Sequence, residues 1–244
     1  IRSLKMGVGK MHTEEEVREA TLEYFNGDDL ATNVFMTKYC LRDKEGNFVE
    51  KNPDDMHRRI AKEFSRIEEK FKGNSLSEDE IYSYLKNFKY IVPQGSPMMG
   101  IGNDYVKVSL SNCVVVDSPS DNISSIVDTG KHLANLFKRR CGVGLDISNL
   151  RPENALVNNS ARTTTGAWSF ADFYSYVCRM IGQNGRRGAL MISMDIRHPD
   201  IEKFIVMKQD LSKVTGANIS VKISDRFMEA VENNESFTLQ YPID

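Results

Sequence analysis

One cysteine lies where thiol chemistry is conceivable. Cys113 follows the polar run Ser109-Leu110-Ser111-Asn112 and precedes three valines, within a β-rich stretch from Val106 to Val116. A cysteine inside a strand is usually a buried, inert small hydrophobic residue, and that is the default interpretation. The polar neighbours favour a strand end that opens onto a wet site, where a thiol could carry out redox chemistry.

Two loops contain side chains suited to phosphate or to a base edge. Residues 183–188 read Gln-Asn-Gly-Arg-Arg-Gly, so two guanidinium forks lie between glycines that let the backbone approach a ligand closely. Composition alone favours a solvated turn for this segment, because loops are usually exposed and polar. The polar stretch from 150 to 166 exceeds the length of most loops that are neither functional nor disordered.

Two glycine pairs do not fit phosphate-binding motifs. Gly7-Val8-Gly9-Lys10 lacks the upstream glycine and the hydroxyl residue of a P-loop, since Met11 follows the lysine. Gly142-Val143-Gly144 leads into a strand, so no helix N-terminus is available for a dinucleotide phosphate. The four cysteines and four histidines have no metal-ligand spacing, and no metal site is predicted.

The elements that position these residues change in character along the chain. The first ninety residues predict helices over about 13–25, 52–71 and 77–88, each opened by a capping residue. Residues 92–97 predict a loop because glycine and proline cluster there. From there strands (106–116, 143–147, 190–194, 219–223, 237–241) alternate with helices (123–137, 170–181, 199–207, 224–231).

This alternation predicts an α/β sheet or barrel with parallel strands. Five strands are too few to close a large barrel, so these strands would form about half of a larger barrel. We therefore predict a helical N-terminal domain over 1–92 and an α/β domain over 93–244. The chain has no initial methionine and stops directly after its last predicted strand, so it reads as a fragment.

Bulk properties exclude several classes of protein. The net charge of −2 argues against non-specific nucleic-acid binding, and the 40% hydrophobic content is typical of a soluble globular protein. No apolar run is long enough for a membrane helix, and the N-terminus does not resemble a signal peptide. Widely spaced cysteines favour reduced thiols and a cytoplasmic location.

An ordered series of motifs resembles the large, catalytic subunit of ribonucleotide reductase. The series covers roughly residue 93 to the end, and its order and spacing carry the resemblance. The matching segments are Ser96-Pro97, Ser111-Asn112-Cys113, Asp121, Cys141-Gly142-Val143-Gly144-Leu145, Asn149-Leu150-Arg151-Pro152, Gln183-Asn184-Gly185-Arg186-Arg187-Gly188-Ala189, His198-Pro199-Asp200-Ile201 and Asn218-Ile219-Ser220-Val221.

The resemblance implies a fold and a set of substrate residues. In that family a helical domain precedes a ten-stranded α/β barrel made of two five-stranded halves, and this chain resembles the helical domain plus the first half. Cys113 then corresponds to one of two cysteines that form a disulfide as the ribose is reduced. Ser96, Asn112 and Gly142 correspond to substrate-binding positions.

The resemblance also implies allosteric control by dNTP or ATP effectors. Asp121 and Arg151 correspond to groups that hold the sugar or base and the phosphates of the effector. Residues 151–166 correspond to a first specificity loop. Residues 183–189 correspond to a second, in which Gln183 and Arg187 carry the identity of the effector to the substrate.

Several parts of such an enzyme are expected outside this chain. They are the partner cysteine, the radical-carrying cysteine and the C-terminal cysteines, so the chain should not turn over alone. No cofactor is expected within the chain, and the radical source is a metal-containing small subunit or adenosylcobalamin. Further expected partners are thioredoxin or glutaredoxin and a second copy that packs through the helices at 121–137 and 170–181.

Two other functions remain open from the sequence. One is a nucleotide-binding regulatory module without catalysis that uses the same loops. The other is a helical interaction protein with an incidental α/β domain.

Overall fold

The computed structural model describes residues 11–71, 73–181, 188–210 and 213–243. The chain forms two compact units, which divide between Asn112 and Cys113. The first unit is helical, and the second combines a parallel sheet with helices. This confirms the predicted order of a helical domain followed by an α/β region.

The helices of the first unit, except the last, begin where the sequence supplies a capping side chain. They are α1 (Glu14–Tyr24), α2 (Asp29–Lys38), α3 (Pro53–Glu68), α4 (Glu78–Leu85) and α5 (Gly95–Gly100), with a 3₁₀ turn at Lys86–Phe88. Thr13 and Ser77 form complete capping boxes, and Asn52 caps α3 with proline as its first residue. Helix α2, whose start is capped by the Asp28 carboxylate, was not predicted.

The segment expected to be a loop over 92–97 contains the start of α5, which belongs to the first unit. Met98 and Ile101 pack against the core of this unit. Their carbonyl groups accept hydrogen bonds from the guanidinium group of Arg59, which also pairs with Glu50 at 2.6 Å in a buried ion pair. These contacts place the division of the two units later in the chain than the predicted boundary after residue 92.

The second unit is a four-stranded parallel sheet within the described residues. Its elements are β1 (Cys113–Val115), α6 (Ile123–Phe137), β2 (Gly142–Asp146), α7 (Ala167–Met180), β3 (Leu190–Asp195), α8 (Ile201–Val206), a 3₁₀ turn at Met207–Gln209, β4 (Asn218–Lys222) and α9 (Asp225–Glu232). The strand order is β1-β2-β3-β4. Helices lie between successive strands because parallel neighbours need a long crossover connection.

The core of the second unit lies on one face of the sheet. Val143, Leu145, Ile192 and Met194 are buried there, together with apolar side chains of α6, α7 and α8. Helices α6 and α7 cross closely at Gly130, where an added Cβ would lie 2.7 Å from the ring of Phe173.

Two predicted strands are corrected by the structure. The β-rich stretch over 106–116 is a strand only from Cys113 to Val115. Residues 237–241, expected to be the fifth strand, form no strand; Gln240 donates one backbone hydrogen bond to Arg197. The apolar residues there are anchored by ring contacts instead, Phe237 to Phe227 and Tyr241 to His198.

Among the described residues, no helix combines the length and apolar character needed to cross a bilayer.

Candidate functional site

Cys113 lies on the face of the sheet that the helices leave uncovered. It is exposed at the start of β1, as is Val115, whereas Val114 between them packs on the core. Successive strand residues point to opposite faces, so Cys113 and Val115 share the open face. The expectation that Cys113 lies on a strand is confirmed, and its side chain is exposed on the face away from the helices.

Glycines form the surface next to this thiol. Cys113 is in register with Gly142 on β2, and Val115 is in register with Gly144. Neither glycine has a side chain, so β2 presents only backbone beside the sulfur. The structure therefore brings two predicted site residues, Cys113 and Gly142, side by side on neighbouring strands.

A charged network continues along the same face toward the carboxyl ends of the strands. Lys222 on β4 pairs with Asp146 on β2 at 3.1 Å, across β3. Ser193 of β3 lies between them and donates a hydrogen bond to the Asp146 carboxylate at 2.7 Å. Sequence reasoning did not single out these three residues. Their signal was the polar residue at every second position of β4, which marks an uncovered face.

The other two predicted substrate residues meet in the first unit. The backbone N–H of Ser96 donates to the side-chain oxygen of Asn112 at 2.8 Å, and the Asn112 amide donates to Gln94 at 2.7 Å. Ser96 is buried, at the N-terminal end of α5. Asn112, the last residue of the first unit, is thus bonded to the segment that carries Ser96.

Asp121 and Arg151, the predicted effector residues, form a hydrogen-bonded pair. The Arg151 Nε donates to Asp121 at 2.6 Å, and its backbone N–H donates to the other carboxylate oxygen at 3.1 Å. The hydroxyl of Tyr241 donates to Asn149 O at 2.9 Å and reaches Asp121 at 3.3 Å. Burial, followed by the nearby Asp121 carboxylate, raises the pKa of Tyr241, so this hydroxyl remains a donor at neutral pH.

The segment that follows Arg151 is an ordered hairpin-like loop. Asn154 and Thr164 are joined by a backbone hydrogen bond of 3.0 Å, and Val157 donates to Arg162 at 2.8 Å. The Arg151 guanidinium also donates to Leu156 O at 2.7 Å, inside this loop. Arg151 therefore organises the loop and keeps about a third of its side chain exposed to solvent.

A groove of about 480 Å³ lies beside α6. Its lining residues come from the part of the chain on either side of Asp121. Its lining combines carboxylates, hydroxyls and one imidazole: Val116, Asp117, Ser118, Ser120, Ser125, Asp128, Thr129 and His132. None of these lining residues is a lysine or arginine. The groove thus suits hydroxyl groups such as those of a ribose better than it suits phosphate.

The remaining predicted site residues, Gln183 and Arg187, lie outside the described residues. Among the described residues, no cluster of three or more histidine, cysteine, aspartate or glutamate side chains could hold a metal ion.

Comparisons with known proteins identify the family. The family model for the barrel domain of ribonucleotide reductase matches residues 111–244, and the model for its all-alpha domain matches residues 25–104. These two ranges correspond to the two compact units. The chain belongs to the ribonucleotide reductase large-subunit family.

Similar curated proteins carry names of this family. A vitamin B12-dependent ribonucleoside-diphosphate reductase of Mycobacterium tuberculosis (strain ATCC 25618 / H37Rv) is 30% identical over 216 residues, covering 87% of this chain and 30% of that protein. The ribonucleoside-diphosphate reductase large subunit of Trypanosoma brucei brucei is 26% identical over 234 residues, covering 92% of this chain and 26% of that protein. The chain thus spans about a third or less of the length of these relatives.

Proposed function

We propose that this chain supplies the helical domain and part of the catalytic barrel of an enzyme that reduces ribonucleotides to 2′-deoxyribonucleotides. The substrate is a ribonucleoside di- or triphosphate. The observation that carries the proposal is the Cys113 thiol, exposed on the open face of the sheet beside Gly142, within the segment matched by the barrel family model.

The redox step uses Cys113 together with a second cysteine thiol of the enzyme. The two thiols lose two electrons and form a disulfide, and the ribose 2′-hydroxyl leaves as water, so that the substrate gains the two electrons as a new C2′–H bond. A thiyl radical starts the reaction, and it derives from a metal-containing small subunit or from adenosylcobalamin. Thioredoxin or glutaredoxin restores the dithiol, in the cytoplasm.

A matched pair of substitutions tests the role of Cys113. In the full-length enzyme, Cys113→Ala should abolish reduction of all ribonucleotides and leave dNTP binding unchanged. Val115→Ala is the control, because Val115 lies on the same strand and open face with 86% of its surface exposed. If Cys113→Ala kept normal turnover, the redox role would be wrong; if the wild-type enzyme bound nucleotides without turnover, a regulatory module would be the better description.

Effector control is the second part of the proposal. A dNTP binds near Asp121 and Arg151 and orders the loop at 183–189, which selects the substrate base. Arg187→Ala should flatten the dependence of substrate choice on effector while effector binding stays near normal. Arg151→Ala should weaken effector binding itself, since it removes a charge-assisted contact and releases the loop at Leu156. Wild-type substrate choice in both variants would contradict the assignment of these loops.

The enzyme is proposed to dimerise through α6 and α7. Four large apolar side chains of these helices are more than half exposed: Ile123, Val127, Tyr176 and Met180. Val127→Glu should convert a dimer to a monomer in sedimentation experiments with dTTP or dATP. Val231→Glu is the control, because Val231 is equally exposed on α9. A wild-type monomer at every effector concentration would refute this interface.

The radical source is tested by cofactor dependence. Relatives named as vitamin B12-dependent and relatives named as large subunits both match the chain. Turnover that requires added adenosylcobalamin would identify the first class, and turnover that requires a second, metal-containing polypeptide would identify the other.

A further inference from the structure

A buried carboxylate joins the two ends of the loop proposed to bind the effector. Asp200 precedes α8 and is 4% exposed. Its carboxylate accepts the backbone N–H of Glu153 at 3.0 and 3.1 Å, and the backbone N–H of Ala167 at 2.9 Å. Glu153 lies two residues after Arg151, and Ala167 is the first residue of α7. One side chain therefore closes the loop at its base.

A glycine makes this close approach possible. Gly166 has φ +92°, which side chains with a Cβ rarely adopt. A Cβ at this position would lie 2.5 Å from the Asp200 carboxylate and 2.6 Å from the Glu153 nitrogen. Any larger residue would push the carboxylate away from one of the two N–H groups.

A histidine fixes the position of Asp200. The backbone N–H of Asp200 donates to His198 Nδ1 at 3.0 Å, so the proton of this imidazole is assigned to Nε2. Nε2 lies 2.8 Å from Leu150 O and donates to it. His198 is fully buried and thereby ties Asp200 to the residue directly before Arg151.

We propose that Asp200 is a positioning residue for effector recognition. By holding Glu153 and Ala167 together, it fixes the loop that presents Arg151 and keeps this arginine in register with Asp121. The inference rests on the proposed function of this loop. Hydrogen bonds from backbone N–H groups to a carboxylate are suited to this task because they are stronger than hydrogen bonds between neutral groups.

Two substitutions break the contact in different ways. Asp200→Asn keeps the size of the side chain but replaces one acceptor oxygen with an N–H₂ group. Gly166→Ala keeps the carboxylate and removes the space for it. Gly46→Ala is the matched control, because Gly46 has φ +93° and a Cβ there meets nothing within 4 Å. It measures the effect of backbone strain without loss of the contact.

The measurement compares effector binding with turnover in the full-length enzyme. In Asp200→Asn and Gly166→Ala, the dissociation constant for dTTP should rise about tenfold or more. A change of this size is typical when a residue outside a binding site affects the affinity of that site. Turnover without effector should stay within about twofold of wild type, because the open face of the sheet is not altered. Gly46→Ala should bind dTTP as wild type does.

Hydrogen exchange of the wild-type enzyme gives a test that needs no variant. The amide protons of Glu153 and Ala167 should be protected to the same degree, and more strongly than those at the tip of the loop. Fast exchange of either amide would overturn the proposal.

The remaining outcomes are distinct. Wild-type dTTP affinity in the folded variants would overturn the inference alone, as would a loss of turnover with unchanged dTTP affinity, which would indicate a purely structural role. A wild-type enzyme that binds no dTTP would overturn the proposed effector site and this inference with it.

Discussion

A buried histidine should make the stability of the helical unit depend on pH. His57 lies on α3 with none of its surface exposed, and the ring of Phe88 packs edge-on against it at 4.5 Å. Neither ring nitrogen has a hydrogen-bond partner among the residues that the structure describes. Burial lowers the pKa of His57 to about 4, and the nearby Asp54 carboxylate offsets only part of this effect.

The sign and size of the effect follow from proton linkage. The unfolded chain binds a proton at His57 near pH 6.5, whereas the folded unit binds it only near pH 4, so protonation favours the unfolded state. The stability is therefore complete above pH 6.5 and is lost as the pH falls toward 4. Relative to pH 8, the loss is about 2 kcal/mol at pH 5 and about 3 kcal/mol at pH 4.

Comparison with a variant that cannot titrate isolates this effect. Hydrogen exchange of peptides from α3, corrected for the pH dependence of intrinsic exchange, reports the local free energy of opening. The difference between wild type and His57→Leu should grow by the stated amounts between pH 8 and pH 4. His132→Gln is the control, because His132 is exposed on α6 in the other unit. An equal decline with pH in wild type and His57→Leu would refute the reasoning.

Three further predictions follow from burial and packing. Iodoacetamide at pH 8 should label Cys113 much faster than Cys178, because Cys113 is exposed and burial raises the pKa of Cys178 to about 11. Peptide mapping that shows the reverse order would contradict the exposure of Cys113 on the open face of the sheet. Arg59→Lys should destabilise the helical unit by about 2–3 kcal/mol in urea unfolding, because a single ammonium group cannot make all the hydrogen bonds of the buried Arg59 guanidinium group. Arg58→Lys is the control and should change the stability little, because Arg58 is half exposed. Gly130→Val should lower the thermal midpoint and separate α6 from α7, and an unchanged midpoint would mean that the crossing has room for a side chain.

Local features were predictable where neighbouring residues decide them. The capping boxes at Thr13 and Ser77 and the cap and proline that open α3 specify helix starts through hydrogen bonds that span three residues. The strand at Cys113 followed from its run of valines. Helix α5 was missed because it is held by Arg59, a residue about forty positions earlier in the chain.

Site residues that are distant in the chain could be grouped only by resemblance to a family. Asp121 and Arg151 are thirty residues apart, and nothing in their spacing indicates that they meet at 2.6 Å. The strand expected at 237–241 had the right alternation, but its aromatic rings found partners in α9 and at His198 instead of a neighbouring strand. Alternation reports which side chains are buried, and it does not report what buries them.

The sequence by itself determined the helical and α/β parts, the ends of most helices and the strand that carries Cys113, because these depend on hydrogen bonds and apolar spacing within a few residues. Only the tertiary structure decided which face of the sheet stays open, that Gly142 lies beside the thiol, and that Asp200 closes the loop after Arg151. The physical reason is that strand register and long-range hydrogen bonds join residues through the packing of the whole unit, and no local pattern encodes them.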